Sequence, residues 1–344
     1  MSVANQIRRI KNAKAAIKEA IQNKGVAVSD DVKLDEYPIF IEKISTGGGD
    51  NNEYMLPDFF EQKLKSERGA QYLFINMAVY EADTELIDTI ENLDMSNFAY
   101  YDGMFYNFNN PTGSASLSAP AGVIKELDLT KWKNMGKAMI YSYSNMFFRC
   151  HLDYLNVSGL DFTRIASTIN FSMFECTYIK EINMSNCNVS TLKNFYRLCY
   201  QANCLVTINM TGCDTSKATN MNYMFGDCPK LETIIGELDA SNLTNGFYPG
   251  STTQPFAKCP SLETVYIKNI YKDIAVTNVA KFSIDLGVTK VKDECLVYII
   301  DQLPNLADKG ITNNTAIKLT LPTTNTLTDE QKQVALDKGW IVVN

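Results

Sequence analysis

The most reactive side chains of this chain are its nine cysteines, set beside a single histidine in 344 residues. Three chemistries compete for thiols: disulfides, a metal centre, and a nucleophile activated by a base. The spacing points away from all three. Cys150, Cys176, Cys204, Cys228 and Cys259 fall once per copy of a recurring unit, at what reads as one structural position. Cys187 and Cys213 form a second series, each just after an Asn-Met-Ser/Thr run. Stacking of such a unit makes a buried column of small apolar thiols, a reading that outweighs disulfides or zinc. No CxxC pair occurs, and His151 alone cannot build a His/Cys metal site. A Ser or Cys nucleophile would have to share His151, which sits between Cys150 and Leu152 at a unit boundary. There is no P-loop and no GxGxxG. Asp30-Asp31 reads as a helix cap, and the other acids are spread thinly rather than paired for polysaccharide cleavage. The chain is therefore read as a non-enzyme, with no catalytic residue, no cofactor and no metal.

Binding chemistry has more to work with. The chain holds 18 Tyr and 17 Phe. Tyr100, Tyr101, Tyr106, Tyr141, Tyr143, Tyr154, Tyr178 and Tyr200 lie outside the strand-like core positions and are the candidate surface-binding residues. Tyrosine gives large contact area at low entropy cost, which suits a host-surface glycan or protein. Edge coverage of a repeat protein is the competing reading of the same residues.

What would position these side chains is a repeat of about 26 residues. Each copy opens with apolar–x–x–apolar–Asp/Asn–apolar–Ser/Thr. Copies begin at Ile90, Ile124, Leu152, Ile179, Leu205 and Leu262, with a looser one at Leu231. A Met-Phe or Phe, often followed by Cys, precedes most of them, as at Met146-Phe147, Met173-Phe174, Met224-Phe225 and Phe256. A unit this short cannot bury its own apolar face, so the copies must stack into a solenoid. Ile124, Leu152, Ile179 and Leu205 should then share one column. The recurring Asp94, Asp128, Asn156, Asn183 and Asn209 fit turn formers that accept from nearby backbone N–H groups. A calcium ladder is disfavoured because three of these five are amides. The Met-Phe stretches suggest a short helix or 3₁₀ turn pressed on the strands.

The expected class is α/β: a leucine-rich-repeat-like solenoid with an N-terminal helical anchor and an α/β C-terminal cap. Residues 1–45 form the helical oligomerisation or anchor segment. Val3, Ile7, Ile10, Ile17 and Ile21 draw a heptad seam on a basic helix, and Ile at both seam positions favours a homotrimer over a dimer or docking to another protein. Residues 46–52, with Gly47-Gly48-Gly49, are a linker. Residues 53–89 are an N-terminal cap containing a helix from Pro57, a strand over Gln71 to Tyr80 and a helical turn from Asp83. Residues 90–270 are the solenoid, with a polar loop at Asn107 to Ala121. Residues 271–344 close it with helix, strand, a second helix opened by a Thr328–x–x–Gln331 capping box, and a final strand. The net charge of −7 disfavours nucleic acid. No apolar run reaches the roughly 20 residues of a membrane span, and the first residues lack the apolar core of a secretory signal.

The pattern Met-Phe-x-x-Cys-x-x-Leu-x-x-Leu/Ile-Asp/Asn-Leu/Met-Ser resembles the BspA-like leucine-rich repeats of bacterial surface proteins, which also occur in phage structural proteins. The resemblance covers roughly residues 90–270. Two copies depart from it: Leu198-Cys199 lacks Met-Phe, and the copy after Met104-Phe105 lacks cysteine. Lys11 to Ile44 is similar to a segment near the N-termini of phage fibre and baseplate proteins. Cys295 to Val342 resembles the closing module of leucine-rich-repeat proteins of gut-bacterial phages. The resemblance implies a phage virion structural protein of head, tail fibre or baseplate. It would join other virion proteins through its N-terminal helix and present the solenoid for host attachment or particle decoration. A bacterial BspA-like adhesin and a polysaccharide-binding or polysaccharide-cleaving solenoid are the alternatives.

Overall fold

The protein was analysed as a computed structural model that describes residues 17–19, 21–22, 65–66, 68–110, 118–132, 139–165, 169–244, 254–273, 282–312, 314 and 316–344. The chain divides into two compact units, Met1–Met55 and Leu56–Asn344. In the first, the described residues are helical. Val3, Ile7 and Ile10 of the expected seam lie outside the described residues, as do the helix expected at 34–44, the linker at 46–52 and the helix expected from Pro57. Ile17 is 39% exposed whereas Ile21 is buried, so these two seam positions do not share one environment. The described residues give the anchor no support.

The second unit is built on one parallel sheet of six short strands in sequential order. These are β1 (Glu126–Asp128), β2 (Tyr154–Asn156), β3 (Glu181–Asn183), β4 (Thr207–Asn209), β5 (Thr233–Asp239) and β6 (Thr264–Lys268). Each central residue, Leu127, Leu155, Ile182, Ile208 and Ile234, sits in register with the next. Side chains alternate along a strand, so in-register pairing turns one buried position into a continuous apolar column. Ile124, Leu152, Ile179 and Leu205 lie three residues ahead of these centres, and all are buried as the repeat requires.

A polar ladder closes β1 to β4 and begins one coil earlier at Asp94. The Oδ1 atoms of Asp94, Asp128, Asn156, Asn183 and Asn209 accept from the backbone N–H two residues on, at 2.9–3.2 Å. This is the Asx turn that the sequence pattern calls for. One coil breaks the rhythm. The β5–β6 register shifts between Thr233 and Glu237, and Gly236 in that stretch has φ +101. A Cβ there would stand 2.8 Å from the Thr211 nitrogen, so only glycine fits.

On another side of each coil lies the Met-Phe turn. Inter-coil hydrogen bonds align Phe74, Phe105, Phe147, Phe174, Cys199, Phe225 and Phe256 in one seven-coil column. Rings stack at 4.9 Å between Phe105 and Phe147 and at 5.5 Å between Phe147 and Phe174. Cys199 fills the place of the missing phenylalanine. No helix forms here, and the reason is in the bonding. The N–H groups of Met104, Tyr106 and Phe108 return to the carbonyl three residues back, as in a 3₁₀ turn. Those of Gly103, Phe105 and Asn107 donate instead to Ser144, Met146 and Phe148 of the next coil. Left-handed residues recur beside the column, as at Asn107, Arg149, Cys176, Gln201, Asp227 and Lys258. The strand expected over Gln71 to Tyr80 is likewise a turn. Tyr72, Phe74 and Asn76 donate to Asp102, Met104 and Tyr106, adding a coil N-terminal to residue 90.

The solenoid is thus a parallel β-solenoid, and helices stand outside its strand-and-turn coils. Among the described residues of Leu56–Asn344, one is α1 (Thr84–Glu91), matching the helical turn expected there; the others belong to the C-terminal module. There β7 (Ile284–Asp285), β8 (Lys318–Thr320) and β9 (Ile341–Val343) make a second parallel sheet with α2 (Asp293–Asp301) and α3 (Asp329–Asp337). The Thr328/Gln331 capping box opens α3 as its sequence specifies. Helix α2 packs on β6, with Tyr266 and Tyr298 edge-on at 5.2 Å. It covers the last strand of the large sheet, as a solenoid cap must.

Candidate recognition surface on the Met-Phe turns

All nine cysteines are free thiols. Their placement corrects the single-column reading. Cys150, Cys228 and Cys259 lie three residues after the column phenylalanines, but Thr177 and Ala202 hold that place in the two coils between. Cys176 falls one residue early and Cys204 two residues late. The buried thiols act as inter-coil donors. Cys187, Cys213, Cys228 and Cys259 each donate to a carbonyl of the preceding coil, at 2.8–3.1 Å. Burial pushes the Cys150, Cys199 and Cys228 thiols well up. Cys176 is half-buried and donates to Gln201 Oε1 at 3.4 Å. Burial and the adjacent Glu175 push it up to about 11, so it is a protonated thiol at neutral pH and a poor nucleophile. Among the described residues, no group of three or more His, Cys, Asp and Glu is placed to hold a metal ion, and no helix is long and apolar enough to cross a membrane.

The eight candidate tyrosines do not come together. Tyr101, Tyr143 and Tyr178 are core residues, at 0%, 0% and 7% exposure. Tyr101 and Tyr143 stack at 4.9 Å, and burial raises both phenols. Tyr178 packs edge-on against His151 at 4.7 Å. Tyr100 and Tyr141 stack at 5.5 Å with the Arg68 guanidinium 4.1 Å over Tyr100. Tyr154 lies on β2, its hydroxyl 3.3 Å from Asn183 Nδ2. Of the five outside the core, only Tyr106 and Tyr200 share a position, immediately after the column residues Phe105 and Cys199.

That position belongs to a partly exposed stripe. Tyr72, Tyr106 and Phe148 make successive ring contacts at 6.3 and 4.7 Å, and the Arg149 guanidinium lies 5.2 Å over Phe148. Further along, the Arg197 guanidinium lies over Tyr196, Tyr200 and Tyr223 at 5.1, 4.6 and 5.5 Å. It also pairs with Glu175 at 3.2 Å. Six coils at about 4.8 Å per step give a stripe roughly 24 Å long. Its C-terminal part deepens into an open groove of about 630 Å³ lined by Gln201, Asn203, Asp227, Pro229, Lys258, Pro260 and Val288. Flat aromatic faces beside fixed cations, carboxylates and amides suit recognition. Tyr72, Phe148, Arg149, Tyr196, Arg197 and Tyr223 escape the sequence reading. Counting two residues before and one after each column position would have found most of them.

A family model described as DUF285, a Mycoplasma protein of unknown function, matches residues 141–258, less than half of the chain. The matched span takes in the Arg197–tyrosine cluster and most of the groove. No curated protein and no solved structure matches the chain. The match and the solenoid together fit a BspA-like repeat protein and are consistent with a surface or adhesin-like role.

Proposed function

We propose that this chain is a non-enzymatic attachment protein whose recognition surface is the outward side of the Met-Phe turns. The observation that carries this reading is the aromatic and cationic stripe from Tyr72 to Tyr223, laid over a column of buried phenylalanines. Interior rings fix the backbone, so the outward residues are presented at set spacing with little entropy left to lose.

In this reading the carrier is a phage virion, with residues 1–45 joining it to other virion proteins as a homotrimer. Support for the carrier comes from the resemblance of the two ends to phage fibre, baseplate and closing segments. The DUF285 match favours a second carrier, a bacterial cell surface bearing the same solenoid as an adhesin.

The test is direct. Fluorescently labelled full-length chain is incubated with a panel of gut-bacterial isolates, and bound signal is measured for wild type and for Tyr200→Ser with Tyr223→Ser. The expected result is saturable binding to some isolates that the double variant loses. Binding by no isolate, or equal binding by the variant, overturns the reading. Deleting residues 1–45 should lower the oligomeric state while leaving the solenoid's melting transition in place; an unchanged oligomer removes the anchor.

A further inference from the structure

The groove beside the Arg197–tyrosine cluster has a chemistry of its own. Three successive coils place Gln201, Asp227 and Lys258 at one position, two residues after Cys199, Phe225 and Phe256. Two residues further on, the same coils present Asn203, Pro229 and Pro260. One row therefore offers an amide, a carboxylate and an ammonium, and the other an amide and two flat pyrrolidine rings. Val288, 49% exposed, adds an apolar wall from the turn after β7.

Charge decides the ligand class. The one acid and one base in the lining, Asp227 and Lys258, pair at 3.0 Å. On the rim, Arg197 is paired with Glu175 at 3.2 Å. Burial and the neighbouring Asp227 carboxylate raise the Tyr200 phenol, which places the aromatic cluster beside the groove floor. The described lining residues therefore carry no net charge, and the acid and base on the rim are matched as well, so the groove favours neither an anionic nor a basic ligand. What remains is a set of held donors and acceptors between apolar surfaces. That set matches an uncharged ring with hydroxyls on its edge and C–H groups on its face.

A peptide strand fits less well. Backbone addition needs a free sheet edge, and here Gln201 and Asp227 donate their N–H groups to Gly226 and Ala257 of the next coil. Three rungs span about 10 Å at about 4.8 Å per step, too short for a globular partner's footprint.

We infer that this groove binds a short stretch of neutral oligosaccharide, with Asp227 and Asn203 bonding hydroxyls and Pro229, Pro260 and Val288 meeting the sugar face. The inference rests on the attachment reading and names the ligand class for one part of that surface.

The experiment uses the full chain on an array of neutral and acidic oligosaccharides. Hits are confirmed by saturation-transfer NMR and titration, with 3′-sialyllactose as the acidic control. Asp227→Asn, Asn203→Ala and Val288→Asp are compared with Lys332→Ala on α3, and melting curves verify that each is folded. The expected result is binding of at least one neutral sugar, weakened about tenfold or more by Asp227→Asn and by Val288→Asp and unchanged by Lys332→Ala. Binding of no neutral sugar, binding of sialylated sugars alone, or unchanged affinity in folded groove variants overturns the inference. If isolates are bound while no neutral sugar is, the ligand class fails and attachment stands. If the sugar binds and no isolate does, attachment fails and the site stands.

Discussion

The inward and outward sides of the Met-Phe turns share one backbone and obey different rules. Inward, the column runs Phe74, Phe105, Phe147, Phe174, Cys199, Phe225 and Phe256, one apolar residue after another. The residue immediately after each of these runs Ile75, Tyr106, Phe148, Glu175, Tyr200, Gly226 and Ala257, the first five at least partly exposed and the last two small and buried, with no common chemistry. The same i→i−3 backbone bond is made by Ile75, Tyr106, Phe148, Tyr200, Gly226 and Ala257, so the fold does not set the outward sequence. Stacking forces like upon like in the interior, because each ring's neighbour is the equivalent ring one coil away. Nothing comparable constrains the outside, which is where a repeat protein can vary what it recognises without refolding.

This contrast can be broken from the inside first. Phe147→Ala removes a ring stacked on both Phe105 and Phe174 and should cost about 3–5 kcal/mol in a denaturant titration. A loss below about 1 kcal/mol would mean the column does not hold the coils together. Gly236→Ala should cost more than about 1 kcal/mol, because a Cβ at φ +101 meets the Thr211 backbone at 2.8 Å. Asn183→Ala removes an Asx acceptor held at 3.0 Å by the Ser185 N–H and should cost about 1 kcal/mol. The smallest effect belongs to the cap. Hydrogen bonds from Tyr298 and Lys268 hold the Glu237 carboxyl below its ordinary value of 4.5. Its contribution is therefore present above that value and lost as pH falls through the lower folded pKa. Melting curves of Glu237→Gln and wild type should differ slightly at neutral pH and converge in acid; exposure keeps the gap under about 1 kcal/mol.

Much of the interior was legible because its spacing repeats. The column through Ile124 and Leu152, the Asx ladder and the Thr328 capping box each follow from residue type at a fixed offset. The thiols are free and all but Cys176 are buried, as the repeat spacing implies; what the spacing misplaces is their single column. Phe147 and Phe225 precede Cys150 and Cys228 by three, whereas Phe174 precedes Cys176 by two, and that single step moves the side chain out of the core. Tyr101 and Tyr143 looked external because they lie outside the strand motif. They stand four residues before Phe105 and Phe147, a phase that points inward in this turn. Of the two forms expected for the Met-Phe stretches, the 3₁₀-like turn is the one found. Met and Phe at helical spacing also fit a turn whose alternate N–H groups leave for the next coil, and periodicity alone does not separate the two.

The central claim is that inward residues hold the coils and outward residues bind. A triple variant, Tyr106→Ser with Tyr200→Ser and Tyr223→Ser, tests it most directly when melting and binding to a responsive bacterial isolate are measured on the same sample. The account predicts one cooperative transition lowered by a few degrees, on the order of 2–4 °C per kcal/mol lost, with binding abolished. Binding that survives in the folded variant would contradict it.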